Sequence, residues 1–211
     1  MKPINVYFFR HSKTLGRAAL NGVTDVEVDA LRIKPMTKAL EPITLSVGTV
    51  VTSPLVRCKA LAEQIEQHYS LSLSIEPAIC EFDFGDLDGV AFDDMDEKQQ
   101  SLLSAFWQAP HLSPLPNGQT LDEFHQQVIS WWEGFISELD GDTLVVSHAG
   151  VIRMVLAYVL SVPYQNSAWH THLALANESI THFKIYPSTP RFSSVVSIGA
   201  PLQPDDSRLC E

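Results

Sequence analysis

Ile4-Asn5-Val6-Tyr7-Phe8-Phe9-Arg10-His11 is the stretch on which the fold turns. Its first six residues are apolar apart from Asn5, and most are β-branched or aromatic. A run this short and continuous reads as a strand buried on both faces, as in the middle of a parallel sheet. The first residues past its end are a guanidinium and an imidazole, followed by Ser12, Lys13 and Thr14. In open α/β sheets, ligands bind in the crevice beyond the carboxyl ends of the strands. A fixed cation beside a nucleophile at such an end suggests a phosphate site.

The same strand–loop–helix pattern recurs twice. Residues 47–52 read as a second buried strand running into Ser53-Pro54-Leu55-Val56-Arg57. Pro54 suits a first helical turn and Ser53 its N-cap. Leu55, Leu61, Ala62, Ile65 and Tyr69 then repeat at helical spacing. Residues 143–147 are a further strand, ending in His148-Ala149-Gly150 and followed by an apolar helix over 151–160 that stops near Pro163. Residues 71–75 alternate like a strand. Residues 173–176 and 179–185 read as two more, around Asn177-Glu178, and residues 30–40 as a helix blurred by Pro35. The tail from Pro187, with Pro190, Pro201 and Pro204, is expected to run over the surface. The fold class is α/β in three layers, a mostly parallel central sheet with helices on both faces.

No linker or repeat divides the 211 residues, so a single domain over 1–211 is expected, large enough to bury roughly 70% of its unfolded surface. Residues 81–117 interrupt the pattern with Asp83, Asp86, Asp88, Asp93, Asp94, Asp96 and Glu97 and three prolines. They read as a flap insertion, partly helical around 92–107, whose acids form a solvated face. A loop of such length belongs over a site. Thr120 and Glu123 then resemble a capping box. The helix they open carries Phe124, Val128, Ile129, Trp132, Phe135, Ile136 and Leu139 as core.

Fourteen Lys and Arg face 25 Asp and Glu, a net charge of −11. Such a surface repels nucleic acid and anionic lipid, so neither nucleic acid nor membrane is expected as a partner. The opening apolar run is far short of the ~20 residues that span a bilayer, and it lacks a secretory cleavage pattern. Cys58, Cys80 and Cys210 are odd in number and without metal-like spacing. They point to free thiols, a reducing compartment and a cytoplasmic protein.

Against that negative background, Arg10, His11, Arg57 and His148 converge on one rim of the sheet. Arginine's planar fork matches phosphate oxygens, and helix N-termini after Ser53 and His148 add N–H donors. Arg57 is expected on the exposed rim, with little role in the core.

Four motifs in order resemble the histidine phosphatase (phosphoglycerate mutase-like) superfamily, over most of the chain from Val6 to about Ile185. They are Arg10-His11-Ser12-Lys13-Thr14; Ser53-Pro54-Leu55-Val56-Arg57; Glu81 with Phe84-Gly85 and Asp88-Gly89; and Ser147-His148-Ala149-Gly150 followed by Val151-Ile152-Arg153. The resemblance implies that His11 attacks phosphorus and becomes a phosphohistidine. Arg10, Arg57 and His148 would bind the phosphoryl oxygens, and Glu81 would protonate the leaving oxygen and then activate water. No metal and no cofactor are implied: the enzyme would be a metal-independent phosphoric monoester hydrolase. Ser12 replaces the family's usual glycine and would be strained if its φ were positive, although its hydroxyl could reach the phosphate. Ala149 replaces another glycine.

Residues 21–26, Asn-Gly-Val-Thr-Asp-Val, are similar to a segment of bacterial α-ribazole phosphatases of cobalamin nucleotide-loop assembly, and that likeness places Asn21 and Gly22 at the substrate. The implied reaction is hydrolysis of α-ribazole 5′-phosphate to α-ribazole. The alternatives are a broad-specificity phosphatase, a phosphoglycerate mutase or a non-catalytic phosphate-binding module. The expected partners are a small phosphorylated metabolite and, beyond it, only a second copy of the chain in a homodimer.

Overall fold

The computed structural model describes residues 2–202; Cys210 and Pro204 lie outside them. The strands are β1 (Ile4–Arg10), β2 (Thr49–Thr52), β3 (Ser72–Ile75), β4 (Thr143–Ser147), β5 (Ser179–Tyr186) and β6 (Phe192–Pro201). The helices are α1 (Ala30–Ala39), α2 (Glu41–Thr44), α3 (Val56–Tyr69), α4 (Glu97–Gln108), α5 (Leu121–Glu138), α6 (Ala149–Val159) and α7 (Ser167–Thr171). One six-stranded sheet runs β3-β2-β4-β1-β5-β6. Its first four strands are parallel, and β5 and β6 are antiparallel additions beside β1.

β1 is buried on both faces, as its composition requires. Val6 and Phe8 join a cluster with Trp132, Val128 and Val155 under α5 and α6. Phe9 faces the other way, into Met36, Leu40, Leu61 and Ile65 of α1 and α3. Phe8 meets Phe183 edge-on at 5.5 Å and Trp132 at 5.9 Å. Those helices are the outer layers of the sandwich.

Register places the site. Arg10 lies opposite Ser147, and Thr52 opposite Val146. The ladder continues one step beyond the strands, with His11 N–H donating to Ser147 O (3.1 Å) and Ser53 N–H to Val146 O (3.1 Å). β1, β2 and β4 therefore end level, and three motifs emerge along one line.

Several expected boundaries move. β2 begins at Thr49 rather than 47. α3 begins at Val56, with Leu55 in the cap position and Ser53 Oγ a distant 3.4 Å from Leu55 N. The α3 N-terminus takes its anchor from outside instead, Val56 N–H donating to Asp25 Oδ1 at 2.7 Å. α1 runs through Pro35, at the point where the missing donor would have served Leu31 in an exposed first turn. Residues 173–176 are not a strand, whereas β6 forms where a surface tail was expected. Residues 81–117 carry two 3-10 turns, Gly85–Leu87 and Phe92–Asp94, and then α4. The capping box at Thr120 and Glu123 is present. Among the described residues no helix is long and apolar enough to cross a membrane.

Phe8 is fully buried against three aromatic rings, those of Trp131, Trp132 and Phe183, so Phe8→Ala should cost about 3–5 kcal/mol of stability. Leu31, 82% exposed, should tolerate alanine within about 0.5 kcal/mol. Urea unfolding of the two variants beside the parent tests this; equal midpoints would refute the placement of β1.

Candidate active site

His11 sits at the end of β1 with its backbone clamped from both sides. Its N–H continues the ladder to Ser147, and its carbonyl accepts from Asn177 Nδ2 at 2.8 Å. One residue earlier, Glu178 N–H donates to Arg10 O at 3.0 Å. The His11 ring lies 2.7 Å from Ser12 O through Nδ1. A carbonyl only accepts, so Nδ1 carries the proton and Nε2 keeps its lone pair. Burial pushes the His11 pKa down to about 3; the Ser12 carbonyl opposes this, and Arg57 and Arg10 add to it. The imidazole is neutral at ordinary pH.

Ser12 is not among the residues with positive φ, so the serine imposes no backbone strain. Its hydroxyl pairs with the Glu178 carboxylate, which Arg32 also grips through Nε at 3.0 Å. The serine hydroxyl is thereby directed at the residue that follows Asn177 at the strand end.

Arg57 overturns the expectation of an exposed rim residue: it is 1% exposed. Nε donates to His148 Nδ1 (3.3 Å), Nη1 to Thr24 O (2.9 Å), and Nη2 to Asn21 O (3.0 Å) and Gly22 O. Four of the five guanidinium donors are thereby fixed, and one Nη1–H remains. The loop that supplies those carbonyls is itself tied by one carboxylate. Asp88 accepts from the N–H groups of Gly22 (3.2 Å), Val23 (3.0 Å), Thr24 (2.9 Å) and Phe84 (3.1 Å). The fit is close enough that a Cβ on Gly22 would stand 1.9 Å from Phe82 O. Both backbone groups of Gly22 are therefore engaged with protein, and Asn21 offers its carbonyl to Arg57. Asp88 belongs to the acidic run read as a solvated face; its place in the Asp88-Gly89 pair was the one signal of a different role.

His148 is fully buried, its ring centre 5.2 Å from that of His11. Because Nδ1 accepts from Arg57, the proton resides on Nε2, which donates to Ser53 Oγ at 2.8 Å. Burial, then His11, Arg57 and Arg10, push its pKa well below the usual range. That hydrogen bond also explains why Ser53 does not cap α3.

Glu81 is held against the first turn of α6. Gly150 N–H donates to Glu81 Oε2 and Phe82 N–H to Glu81 Oε1, each at 3.1 Å. A Cβ at residue 150 would lie 2.1 Å from Oε1, so the carboxylate occupies the space a side chain would fill. Arg10 and Arg153 both feel its charge, and burial lowers the pKa of each arginine. Leu175 O accepts from Arg10 Nη1, and Leu173 O from Arg153 Nη2 at 2.9 Å. These carbonyls turn towards guanidiniums, which is why the segment forms no strand. The Nε atoms of both arginines are buried without a partner. Sequence reasoning did not single out Arg153 as a site residue, although it follows the last motif directly.

The site thus assembles His11, Arg10, Arg57, His148 and Glu81 around one strand end, with Asn21 and Gly22 one layer behind. Among the described residues no group of three or more His, Cys, Asp or Glu is placed to hold a metal. What the arrangement offers is an imidazole lone pair, guanidinium donors and one carboxyl group.

The model of the family described as the histidine phosphatase superfamily (branch 1) matches residues 6–197. A Hydrogenobacter thermophilus protein named "Putative phosphoserine phosphatase 2" is 23% identical over 187 residues, 87% of this chain and 92% of its own. The chain also matches 138 residues of longer mycobacterial proteins at 30% identity, 37% of their length. A mycobacterial glucosyl-3-phosphoglycerate phosphatase superposes with a TM-score of 0.79 at 17% identity, over 94% of this chain and 100% of its own. The α-ribazole phosphatase of Shigella flexneri superposes with a TM-score of 0.75 at 20% identity, over 93% and 96%. At these identities the two structures establish a shared fold.

Arg57→Ala would leave the carbonyls of Asn21, Gly22 and Thr24 without donors, and should lower stability by about 2–4 kcal/mol. Arg57→Lys, a point charge without the fork, should recover only part. Denaturant midpoints decide this, and an unchanged Arg57→Ala midpoint would return the residue to the surface. pH supplies a second test. An unfolded histidine takes up its proton near pH 6.5, whereas His11 in the fold resists until about 3. Below 6.5 the unfolded state binds more protons, so stability is complete above that pH and declines as pH falls towards 3. His148 acts in the same direction. His11→Asn should flatten the slope of urea midpoint against pH, and an unaltered slope would contradict the buried neutral imidazole.

Proposed function

The chain belongs to the histidine phosphatase superfamily, branch 1, and on that premise we propose that it hydrolyses a small phosphorylated metabolite through a phosphohistidine at His11. The observation that carries the reading is the fixed tautomer: Ser12 O holds the Nδ1 proton, leaving Nε2 with its lone pair on a ring that feels the charges of Arg57 and Arg10. A neutral imidazole is a competent nucleophile near pH 7.

In the first step Nε2 attacks phosphorus and the P–O ester bond breaks. The remaining Arg57 Nη1–H and the Arg10 donors receive the phosphoryl oxygens, where charge stabilisation supplies most of the catalysis in phosphoryl transfer. Glu81, as a carboxylic acid, passes its proton to the departing oxygen, and the alcohol leaves. In the second step the Glu81 carboxylate takes a proton from water. The oxygen attacks phosphorus, the P–N bond breaks, its electron pair returns to Nε2, and inorganic phosphate departs. His148 contributes its Nε2–H to the phosphoryl group by exchanging away from Ser53 Oγ. The guanidiniums provide the charge that a metal ion would otherwise supply, so the reaction proceeds without one.

Within phosphomonoester hydrolysis, α-ribazole 5′-phosphate is the finer substrate that the loop over residues 21–26 supports, and an α-ribazole phosphatase shares the fold. The Hydrogenobacter relative's name directs attention to a phosphorylated amino acid instead. A mutase, returning the phosphoryl group to a bound sugar acid, uses the same first step and differs in excluding water.

Base quenching during turnover, followed by peptide mass spectrometry, should find phosphate on His11 and none on His148. The label should survive at high pH and disappear at low pH. His11→Ala should be inactive, and release of inorganic phosphate should continue in EDTA. Phosphate on His148, or turnover by His11→Ala, would overturn the nucleophile; loss of activity in EDTA would overturn the metal-free reaction.

A further inference from the structure

Attack through Nε2 requires the His11 proton to stay on Nδ1, and the group that keeps it there is the carbonyl of Ser12. Ser12 lies past the last rung of the β1–β4 ladder, so sheet pairing does not fix it. Glu178 does. Its carboxylate accepts from the Ser12 hydroxyl and from Arg32 of α1, through Nε at 3.0 Å and Nη2 at 2.5 Å. A two-pronged guanidinium contact sets the plane of a carboxylate as well as its place. The Glu178 N–H donates to Arg10 O at 3.0 Å, and its carbonyl accepts from Leu202 N–H at 2.9 Å. Glu178 therefore holds the residue before His11 by its backbone and the residue after it by its side chain. Burial alone would raise its pKa, but the hydrogen bonds from Arg32 and Ser12 bring it below the usual carboxylate value, so the acceptor is ionised.

The backbone at this corner is in a conformation that glutamate rarely adopts. Glu178 has a φ of 57°, in the left-handed region. Of the other described non-glycine residues found there, Ser70 closes α3, Ser161 follows the end of α6, and Asn117 belongs to a type that tolerates it. Glycine would sit at 178 without strain, but it would lack the carboxylate that reaches Ser12 and Arg32. Strained residues persist where surrounding contacts over-determine them, and they gather at functional sites. The charge of Glu178 is not what His11 feels, since the side chains that act on the ring's titration are Arg57 and Arg10. Its influence runs through geometry.

Resting on the phosphatase reading, we propose that Glu178 is a positioning residue for the nucleophile: braced by Arg32, it holds Ser12 so that the Ser12 carbonyl keeps the His11 proton on Nδ1 and the lone pair on Nε2.

Glu178→Gly and Glu178→Gln separate this role from that of a mere turn. A residue that served only the turn would be replaced by glycine without loss of turnover. A positioning residue would not: the single-turnover rate of p-nitrophenolate release should fall about tenfold to a hundredfold, the scale of a small misplacement of a reacting group. Inorganic phosphate, as a competitive inhibitor, should bind no more weakly than to the parent. Nitrogen-15 spectra of histidine-labelled protein give a second readout. The parent should show His11 protonated on Nδ1, the signal being identified by its loss in His11→Asn, and Glu178→Gly should show a mixture of tautomers. Ser12→Ala should reproduce much of the rate loss, and combining it with Glu178→Gln should be little worse than the poorer single variant, as for two ends of one contact. A parent-like rate or an unmixed Nδ1–H signal in Glu178→Gly, weakened phosphate binding that accounts for the rate loss, or additive losses in the double variant would each overturn the assignment and leave the phosphatase intact. Should Glu178→Gly fail to fold, Glu178→Gln and Ser12→Ala decide by the same measurements. Absence of turnover by the parent on every ester would instead remove the phosphatase reading, while the tautomer, read without substrate, would still decide what Glu178 holds.

Discussion

A guanidinium with almost no access to solvent is the constraint around which this site is built. Left unpaired, Arg57 would be prohibitive to bury; held by three carbonyls and an imidazole nitrogen, it becomes the joint between separate parts of the chain. The loop at 21–24 must turn its carbonyls inward to meet it, which sends its N–H groups outward. Asp88 receives three of those N–H groups on one carboxylate. Asp25, in the same loop, anchors the first turn of the helix that carries Arg57. The connection runs Asp88, loop, Arg57, His148, from part-buried and exposed hydrogen bonds at Asp88 to a fully buried one between Arg57 and His148.

Electrostatics give the arrangement its sign. The whole chain carries a net charge of −11, unfavourable for an anionic ligand at long range, but exposed charges are screened beyond about 8 Å at physiological salt. At the strand end itself the local charges are those of Arg10, Arg57 and Arg153, with Glu81 as the opposing group. The two histidines stay neutral because burial, the larger effect, is reinforced by the neighbouring guanidiniums. A cationic pair of imidazoles would attract phosphate more strongly but would leave His11 without a lone pair. Burial thus keeps a lone pair on His11, which the proposed mechanism requires, while the arginines keep their charge under the same burial.

The parts of this structure that were legible in the sequence are those decided by local chemistry. The run from Ile4 to Phe9 could only be a central strand, and the level register of β1, β2 and β4 then delivered Arg10, His11, Arg57 and His148 to one place. What could not be read depends on partners distant in the chain. Arg57 looks like a helix-surface charge until its acceptors arrive from a loop more than thirty residues earlier. Asp88 sits in an acidic stretch whose other members cap α4, as Asp96 does, or pair near the surface, as Asp93 and Asp94 do with Arg17, and nothing in its neighbours distinguishes a nest of backbone donors from solvent. β6 was missed for a different reason. Its serines, Gly199 and exposed Phe192, Val196 and Ile198 break the alternation expected of a half-buried strand, and it exists because β5 presents it an edge to pair with.

Those two antiparallel strands have a consequence for the chemistry. β5 begins at Ser179, and the six residues before it belong to the site rather than to the sheet. Leu173 and Leu175 turn carbonyls to Arg153 and Arg10, Asn177 reaches the carbonyl of His11, and Glu178 donates its N–H to Arg10 O. Leu202, just past β6, returns to donate to Glu178 O. A strand-like sequence at 173–176 could have extended the sheet and satisfied its backbone there. Instead the same polar groups hold two arginines and the backbone of His11. One short segment therefore holds a terminal nitrogen of both Arg10 and Arg153.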